Sequence, residues 1–195
     1  AISHFIESSL LEVGVDKGRI KVIYNRPPHH NRAERSHQEM PRAEAGETVF
    51  LYVGQITRDK GVDYLVHAAR KVIEGNRHNV RFWLVGDYTW QNPLAEELMN
   101  NIREAGLDYI IHFWGYRDDV DTFYALCNVH ICSSVWEEAL GNVVLEAKSF
   151  GKPSIIFPSG GLPELVRHGV DGYCCKEKST EALFEAIQYY LEKPK

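Results

Sequence analysis

The residues best suited to chemistry are two carboxylates in the spacing E-x₇-E. They are Glu138 and Glu146, within Ser133-Ser134-Val135-Trp136-Glu137-Glu138-Ala139-Leu140-Gly141-Asn142-Val143-Val144-Leu145-Glu146-Ala147. An ionised carboxylate accepts two hydrogen bonds at once, so it can hold a vicinal diol such as that of a ribose or a hexose. Glu138 precedes Gly141, where the chain turns, and Glu146 follows about two turns into a helical stretch. The first amides of that stretch, at Gly141, Asn142 and Val143, lack intrahelical acceptors and face outward at the positive end of the helix dipole, which suits an anion. Glu146 would otherwise be an ordinary surface cap or salt bridge. Its neighbours Val143, Val144, Leu145 and Ala147 are apolar, however, so the helix is expected to be buried and the carboxylate to need a partner.

A cationic counterpart follows the first regular apolar run, in Gly54-Gln55-Ile56-Thr57-Arg58-Asp59-Lys60-Gly61. Gly54 at a strand end admits close approach of a ligand to the backbone. Lys60, with Arg58 and the amides of the next helix, would then hold phosphate oxygens. The loop is neither a Walker A motif nor G-x-G-x-x-G, and on its own it reads equally as a turn with a solvated lysine. Gly160-Gly161-Leu162-Pro163-Glu164 fits either a ligand-facing loop or a helix-entry turn. Asp119-Val120-Asp121 spells D-x-D, a metal-binding signature elsewhere. Beside Asp118 and at the start of a helix-like stretch, these acids read as helix-start electrostatics, and no metal site is expected.

The elements that must position these groups alternate regularly. Apolar, β-branched or aromatic runs fall at Thr48–Val53, Val80–Val85, Tyr109–Trp114, Val129–Cys132 and Ser154–Phe157. Helical stretches at Val62–Glu74, Pro93–Ala105, Val120–Leu126, Asn142–Phe150 and Thr180–Leu191 separate or follow them. This is the pattern of βαβ units: an α/β fold with a doubly wound, Rossmann-like parallel sheet covered on both faces. Ligands in such sheets bind at the carboxyl ends of the strands, and the loops above all follow strands. Residues 1–24 contain a helix-like stretch, His4–Val13, and a strand-like run, Ile20–Tyr24. A polar, Pro-bearing linker follows.

Bulk properties exclude other classes. The chain of 195 residues is 44% apolar and 25% charged, with net charge −5 and pI near 6.0. No clustered basic surface suits it to nucleic acid: the His- and Arg-bearing run His29–Arg42 also holds Glu34, Glu39 and Pro41, follows Pro27-Pro28, and reads as a solvated loop, His29 and His30 included. No apolar run approaches the ~20 residues that cross a bilayer, and no signal peptide is expected. Cys127, Cys132, Cys174 and Cys175 form no C-x-x-C pair, so reduced, mostly buried thiols and a cytoplasmic location are expected.

Together these motifs resemble the group 1 glycosyltransferases, which retain anomeric configuration and have the two-domain GT-B fold. The family's first loop usually reads G-R-x-x-x-x-K-G. Gly54, Lys60 and Gly61 match it, and Gln55 stands where the arginine is expected. Glu138 and Glu146 match the E-x₇-E signature, with Leu140 in place of the common aromatic. The match continues through Gly151, Pro153, Gly160-Gly161, Glu164, Gly169 and Asp171-Gly172, and Gly86-Asp87 and Phe113-Trp114-Gly115 also fall where similar residues are expected.

The resemblance implies that residues 48–195 form the nucleotide-sugar (donor) domain, the C-terminal half of a GT-B enzyme. Residues 29–47 would be a linker, and residues 1–28 the remnant of an N-terminal domain that is otherwise missing. It gives Lys60 the donor pyrophosphate, Glu146 the ribose hydroxyls, and Glu138 the hydroxyls of a transferred hexosyl unit, with Lys60 and Glu138 the catalytic pair. The amides of Gly141, Asn142 and Val143 would contact sugar or phosphate, and Arg58 or Gln55 would stand in for the missing arginine. The donor would be a nucleoside diphosphate sugar, UDP- or GDP-linked, with no separate cofactor. The acceptor, a glycan, lipid or small molecule, would belong to the missing domain, as would the family's functional histidine, so none of the nine histidines here takes that role. The fragment alone is expected to be inactive and to pair with a second copy through Phe5, Ile6, Leu10 and Leu11; peripheral membrane attachment of the full-length enzyme is left open. Two other readings stand beside this one. A nucleotide-sugar 2-epimerase of related fold lacks the Glu138/Glu146 arrangement, and a non-catalytic nucleotide- or sugar-binding module would need no acceptor domain.

Overall fold

The computed structural model describes residues 1–27, 39–75, 79–88 and 92–192; His29 and His30 and most of the expected linker lie outside them. Six strands form one sheet: β1 (Thr48–Val53), β2 (Val80–Val85), β3 (Ile111–Gly115), β4 (Val129–Cys132), β5 (Ser154–Ile156) and β6 (Gly172–Cys174). Their order is β3-β2-β1-β4-β5-β6, with every neighbouring pair parallel. The expected doubly wound, Rossmann-like α/β fold is therefore present.

The central strands bury almost every residue, which is why their sequences are apolar throughout rather than alternating. On one face lie α2 (Val62–Glu74), α3 (Pro93–Glu104) and α6 (Thr180–Glu192). In α2 the residues Val62, Leu65, Val66, Ala69, Val72 and Ile73 form a buried stripe at helical spacing. On the other face α4 (Val120–Leu126) brings Phe123 and Tyr124 onto Leu51, Trp83 and Val85. There α5 (Asn142–Ser149) supplies Val144 and Ala147. The chain winds outward from β1 to β3, then returns to place β4 on the other side of β1. The topological switch point therefore lies between the carboxyl ends of β1 and β4.

Two expectations about elements are corrected. Ile20–Tyr24 joins no strand of the sheet: the Ile20 amide closes the preceding 3₁₀ turn on the Lys17 carbonyl (3.1 Å), and Ala1 donates its ammonium to the Lys21 carbonyl and accepts at its own carbonyl from the Ile23 amide, both at 2.9 Å. Extended residues without a neighbouring edge make no ladder. Conversely, β6 is a strand that the apolar pattern did not indicate, because three residues beginning with glycine make no run.

The amino-terminal segment docks on the loops at the switch point. Its helix α1 (His4–Glu12) is capped by Ser3, whose hydroxyl accepts from the Ile6 amide at 3.1 Å and donates to the Ala139 carbonyl at 2.5 Å. The carboxylate of Glu164 accepts from the amides of His4 (2.8 Å) and Phe5 (2.7 Å) and from the Tyr24 hydroxyl (2.6 Å). No residue of α1 itself is fully buried, and Leu11 is exposed.

Candidate functional site

Two loops meet at the switch point. The first follows β1 and ends in a 3₁₀ turn, Arg58–Lys60, closed by Gly61 at φ +65°. A Cβ on Gly61 would sit 2.0 Å from the Ser133 carbonyl oxygen, so this loop lies directly on the end of β4. Hydrogen bonds fix it there: the Ser133 hydroxyl donates to the Lys60 carbonyl (3.1 Å) and the Ser134 hydroxyl to the Asp59 carbonyl (3.2 Å). The Val135 and Trp136 amides donate to the Asp59 carbonyl as well, at 2.9 and 3.0 Å.

The second loop, carrying Glu138, runs from β4 to α5. Gly160 and Gly161 hold it from behind: Gly161 donates its amide to the Glu138 carbonyl at 2.7 Å, and the Gly160 amide donates to the Glu137 carboxylate. A Cβ at Gly160 would come within 2.1 Å of the Glu138 carbonyl oxygen. Of the two readings of this glycine pair, neither is complete. The pair makes room for protein backbone, and Leu162–Glu164 then forms a 3₁₀ turn with Pro163 near its start. Lys178 steadies the same loop, donating to the Glu137 carboxylate (2.5 Å) and the Val135 carbonyl (3.0 Å).

Between the loops is a cavity of about 160 Å³. Its walls include Gly54, Lys60, Ser134, Glu138, Gly141, Asn142 and Val143 from the loops, with Tyr52 and Cys132 beneath. The Lys60 ammonium and a Glu138 carboxylate oxygen are 2.5 Å apart, and both side chains are partly shielded from solvent. Gly141, at φ +96°, opens α5 without a side-chain cap of its own, which leaves the first-turn amides without a side-chain acceptor among the described residues. Asn142 accepts at its side-chain oxygen from the Asn25 side-chain amide at 2.8 Å. Burial pushes the Tyr52 phenol well above its ordinary range and the Cys132 thiol up to about 12. Tyr52 is thus a neutral donor, bonded to the Gln55 carbonyl at 2.7 Å, and Cys132 a protonated wall residue.

Glu146 lies farther along α5, half-buried, and does not line this cavity. The partner that a buried carboxylate was expected to need is Tyr124, whose hydroxyl donates to Glu146 Oε2 at 2.9 Å. Arg58 is turned away from the cavity: its guanidinium lies 3.5 Å from both Asp63 and Glu97, and the side chain is 66% exposed. Gln55 is exposed and also absent from the cavity wall. In this structure neither side chain lines the cavity, and the carboxylates of α2 and α3 hold the Arg58 guanidinium on its outer side.

The D-x-D acids are accounted for differently than helix-start electrostatics alone suggests. Asp119 occupies the N-cap position of α4 without making a capping bond. Its carboxylate is held by Arg117 Nε and Nη2, both at 2.7 Å, in a pair whose side chains are only 3–4% exposed. That bidentate bond lowers the Asp119 pKa. Asp121 sits in the first turn of α4, as an acid at a helix start should. His130 is also committed to the interior: burial pushes its pKa down to about 3, and Nδ1 lies 3.1 Å from the Ser154 hydroxyl.

Sequence reasoning missed four site residues. Ser133 and Ser134 carried a usable signal, two hydroxyls immediately after a strand. Tyr52 and Tyr124 did not, since an aromatic within a strand or an amphipathic helix reads as core. Size alone would also mislead. A larger cavity of about 500 Å³ lies by Pro153, at the opposite end of β5. Its lysines are already engaged, Lys148 by Asp171 and Lys152 by the Ala125 and Cys127 carbonyls.

Comparison with known proteins agrees with this fold. Residues 34–195 match the family model described as glycosyl transferases group 1. The lipopolysaccharide 1,2-N-acetylglucosaminetransferase of Salmonella typhimurium is 31% identical over 183 residues, covering 91% of this chain and 46% of its own length. Among solved structures, the Anabaena protein HepE in complex with UDP and glucose superposes with a TM-score of 0.79 at 24% identity, over 99% of this chain and 53% of that one. The C-terminal domain of a group 1 family glycosyl transferase from Francisella tularensis gives a TM-score of 0.68 at 21% identity, over 76% of this chain and 77% of that domain. These likenesses carry the fold of the C-terminal half of a GT-B enzyme. The chain spans about half the length, or less, of the curated relatives it matches. Matched along most of its length by the family model, with Glu138, Lys60, Gly54 and Gly141 around one switch-point cavity and Glu146 farther along α5, the chain belongs to the group 1 glycosyltransferases.

Proposed function

We propose that this domain binds a nucleoside diphosphate hexose and presents it for transfer with retention of configuration. The observation that carries the reading is the meeting of Lys60 and Glu138 across the switch-point cavity, beside the uncapped first turn of α5. In this reading the Lys60 ammonium and the α5 amides carry the charge that develops on the leaving diphosphate. Glu138 accepts from hydroxyls of the transferred sugar, and Glu146 accepts from the ribose diol. Solved complexes of HepE with UDP and with UDP-glucose make UDP-glucose the first donor to test, with the GDP sugar beside it. Transfer also requires an acceptor held opposite the donor, where proximity supplies a large part of the rate. We assign that task to the portion of the relatives' length that this chain does not span.

The Lys60–Glu138 pair has a consequence for binding. A diphosphate reaching Lys60 has to displace or share the Glu138 carboxylate, whereas the sugar gains from Glu138 directly. Glu138→Ala is therefore expected to tighten UDP binding about two- to fivefold, the scale of releasing one partly exposed ion pair. The same substitution should reduce the advantage of UDP-glucose over UDP about tenfold, through loss of charge-assisted hydrogen bonds. Calorimetric titration of both ligands, and of GDP with GDP-glucose in parallel, measures both effects. Equal weakening of the bare and the sugar-bearing nucleotides would sink the assignment.

A further inference from the structure

We infer that Tyr124 is a positioning residue for Glu146, fixing one carboxylate oxygen so that the other is presented to the ribose diol. The inference rests on the donor-binding reading above and adds to it a residue from a different element. Tyr124 belongs to α4, Glu146 to α5, and their hydrogen bond ties the two helices beside the switch point.

The geometry makes the phenol a dedicated donor. Tyr124 is 1% exposed, its ring stacked on Phe150 with centroids 5.7 Å apart and planes 16° from parallel. The His130 ring lies against it at 5.8 Å. A ring packed this way cannot swing, so its hydroxyl has a fixed place. Two acceptors are within reach of its single proton: Glu146 Oε2 at 2.9 Å and the Val143 carbonyl at 3.3 Å. The carboxylate is nearer and charged, and therefore takes the bond. Burial, and the Glu146 charge beside it, push the phenol far above its ordinary range, so the proton stays on Tyr124 throughout the working pH range.

The consequence for Glu146 is restricted motion. A glutamate on a half-buried helix face otherwise samples several rotamers, and ordering it on binding opposes affinity. With Oε2 fixed by Tyr124, that ordering is done before the nucleotide arrives. One oxygen remains for the diol, and Glu146 still accepts from two hydroxyls through its free lone pairs.

The test uses Tyr124→Phe, which keeps the stacked ring and removes only the hydroxyl. UDP, GDP and ADP are titrated into the unmodified chain. The tightest of them is then compared with its 2′,3′-dideoxy counterpart in the unmodified chain, in Tyr124→Phe and in Glu146→Gln. The readout is the ratio of the two dissociation constants, which a general loss of stability does not move, with thermal unfolding as a check that each variant is folded. We expect the diol to be worth about tenfold in the unmodified chain, close to nothing in Glu146→Gln, and about two- to threefold in Tyr124→Phe. A full tenfold ratio in Tyr124→Phe, with the ratio lost in Glu146→Gln, would overturn the positioning role and leave the donor site standing. A ratio unaffected by Glu146→Gln, or no nucleotide binding at all by the unmodified chain, would overturn the donor reading and the inference with it.

Discussion

Alanine at Gly61 is expected to lower stability by about 3 kcal/mol or more and to weaken nucleotide binding more than tenfold. Two effects combine. An L-residue at φ +65° gives up roughly 1–2 kcal/mol of conformational energy. The new methyl would also lie 2.0 Å from the Ser133 carbonyl oxygen, a backbone atom that cannot rotate aside. Relief requires the loop to lift from β4, weakening the bonds from Ser133, Ser134, Val135 and Trp136 that place Lys60. Overpacking of this kind typically costs a further ~1–3 kcal/mol. Gly106 supplies the control. Its φ is nearly the same, +64°, but nothing lies within 4 Å of its Cβ position, so Gly106→Ala carries the dihedral cost alone. In thermal unfolding, Gly61→Ala should fall below the unmodified chain by roughly 6–12 °C and Gly106→Ala by a few degrees, with donor affinity retained in the latter. Equal shifts for the two would mean that the close approach at Ser133 has no energetic weight.

The contrast between these glycines also marks what a sequence can reveal. Gly61 was recognisable as part of a strand-end loop, but its obligatory status comes from Ser133, brought against it only because β4 is the sheet neighbour of β1. The alternation of apolar runs and helices was sufficient to anticipate five strands and the doubly wound class, since strands covered on both faces have no polar face to confuse the pattern. It failed where pattern and pairing separate. Ile20–Tyr24 has the composition of a strand and no edge to pair with, whereas Gly172–Cys174 pairs with β5 through backbone groups that need no apolar run. Within the site, Glu138, Lys60 and the Gly141–Val143 turn followed from motif spacing and from the rule that ligands sit beyond strand ends. Their mutual arrangement did not. The Lys60–Glu138 contact joins loops from two different crossovers, the Glu146 partner comes from α4, and Arg58 is drawn off by Glu97 on α3. Each is a tertiary pairing between residues distant along the chain, and local periodicity carries no information about such pairs.

Asp119→Ala is expected to be the most destabilising of the substitutions considered, by about 3–5 kcal/mol, because it leaves a guanidinium buried without its carboxylate. Arg117 is 6% exposed and is bonded twice to Asp119, with the Glu39 carbonyl (3.0 Å) as a further acceptor. Its guanidinium also lies 5.1 Å from the Phe123 ring centroid and 5.8 Å from that of Trp114. Those contacts are favourable for a cation whose charge is balanced, but they provide no hydrogen bonds to a lone one. Removing the charge should therefore restore much of the loss: Arg117→Met combined with Asp119→Ala is expected to be more stable than Asp119→Ala alone. Acid should reproduce part of the single-variant effect. With its pKa lowered in the folded state, Asp119 contributes stability that is present above the ordinary carboxylate range and is lost as pH falls through the depressed value. The same substitution separates a structural acid from a metal ligand. Urea unfolding of the two variants, alongside nucleotide titration with magnesium or with EDTA, distinguishes the cases. A loss below about 1 kcal/mol, together with magnesium-dependent binding that Asp119→Ala abolishes, would make the D-x-D acids a metal site after all; a large loss with binding indifferent to EDTA identifies Asp119 as the counter-ion that lets Arg117 remain inside the fold.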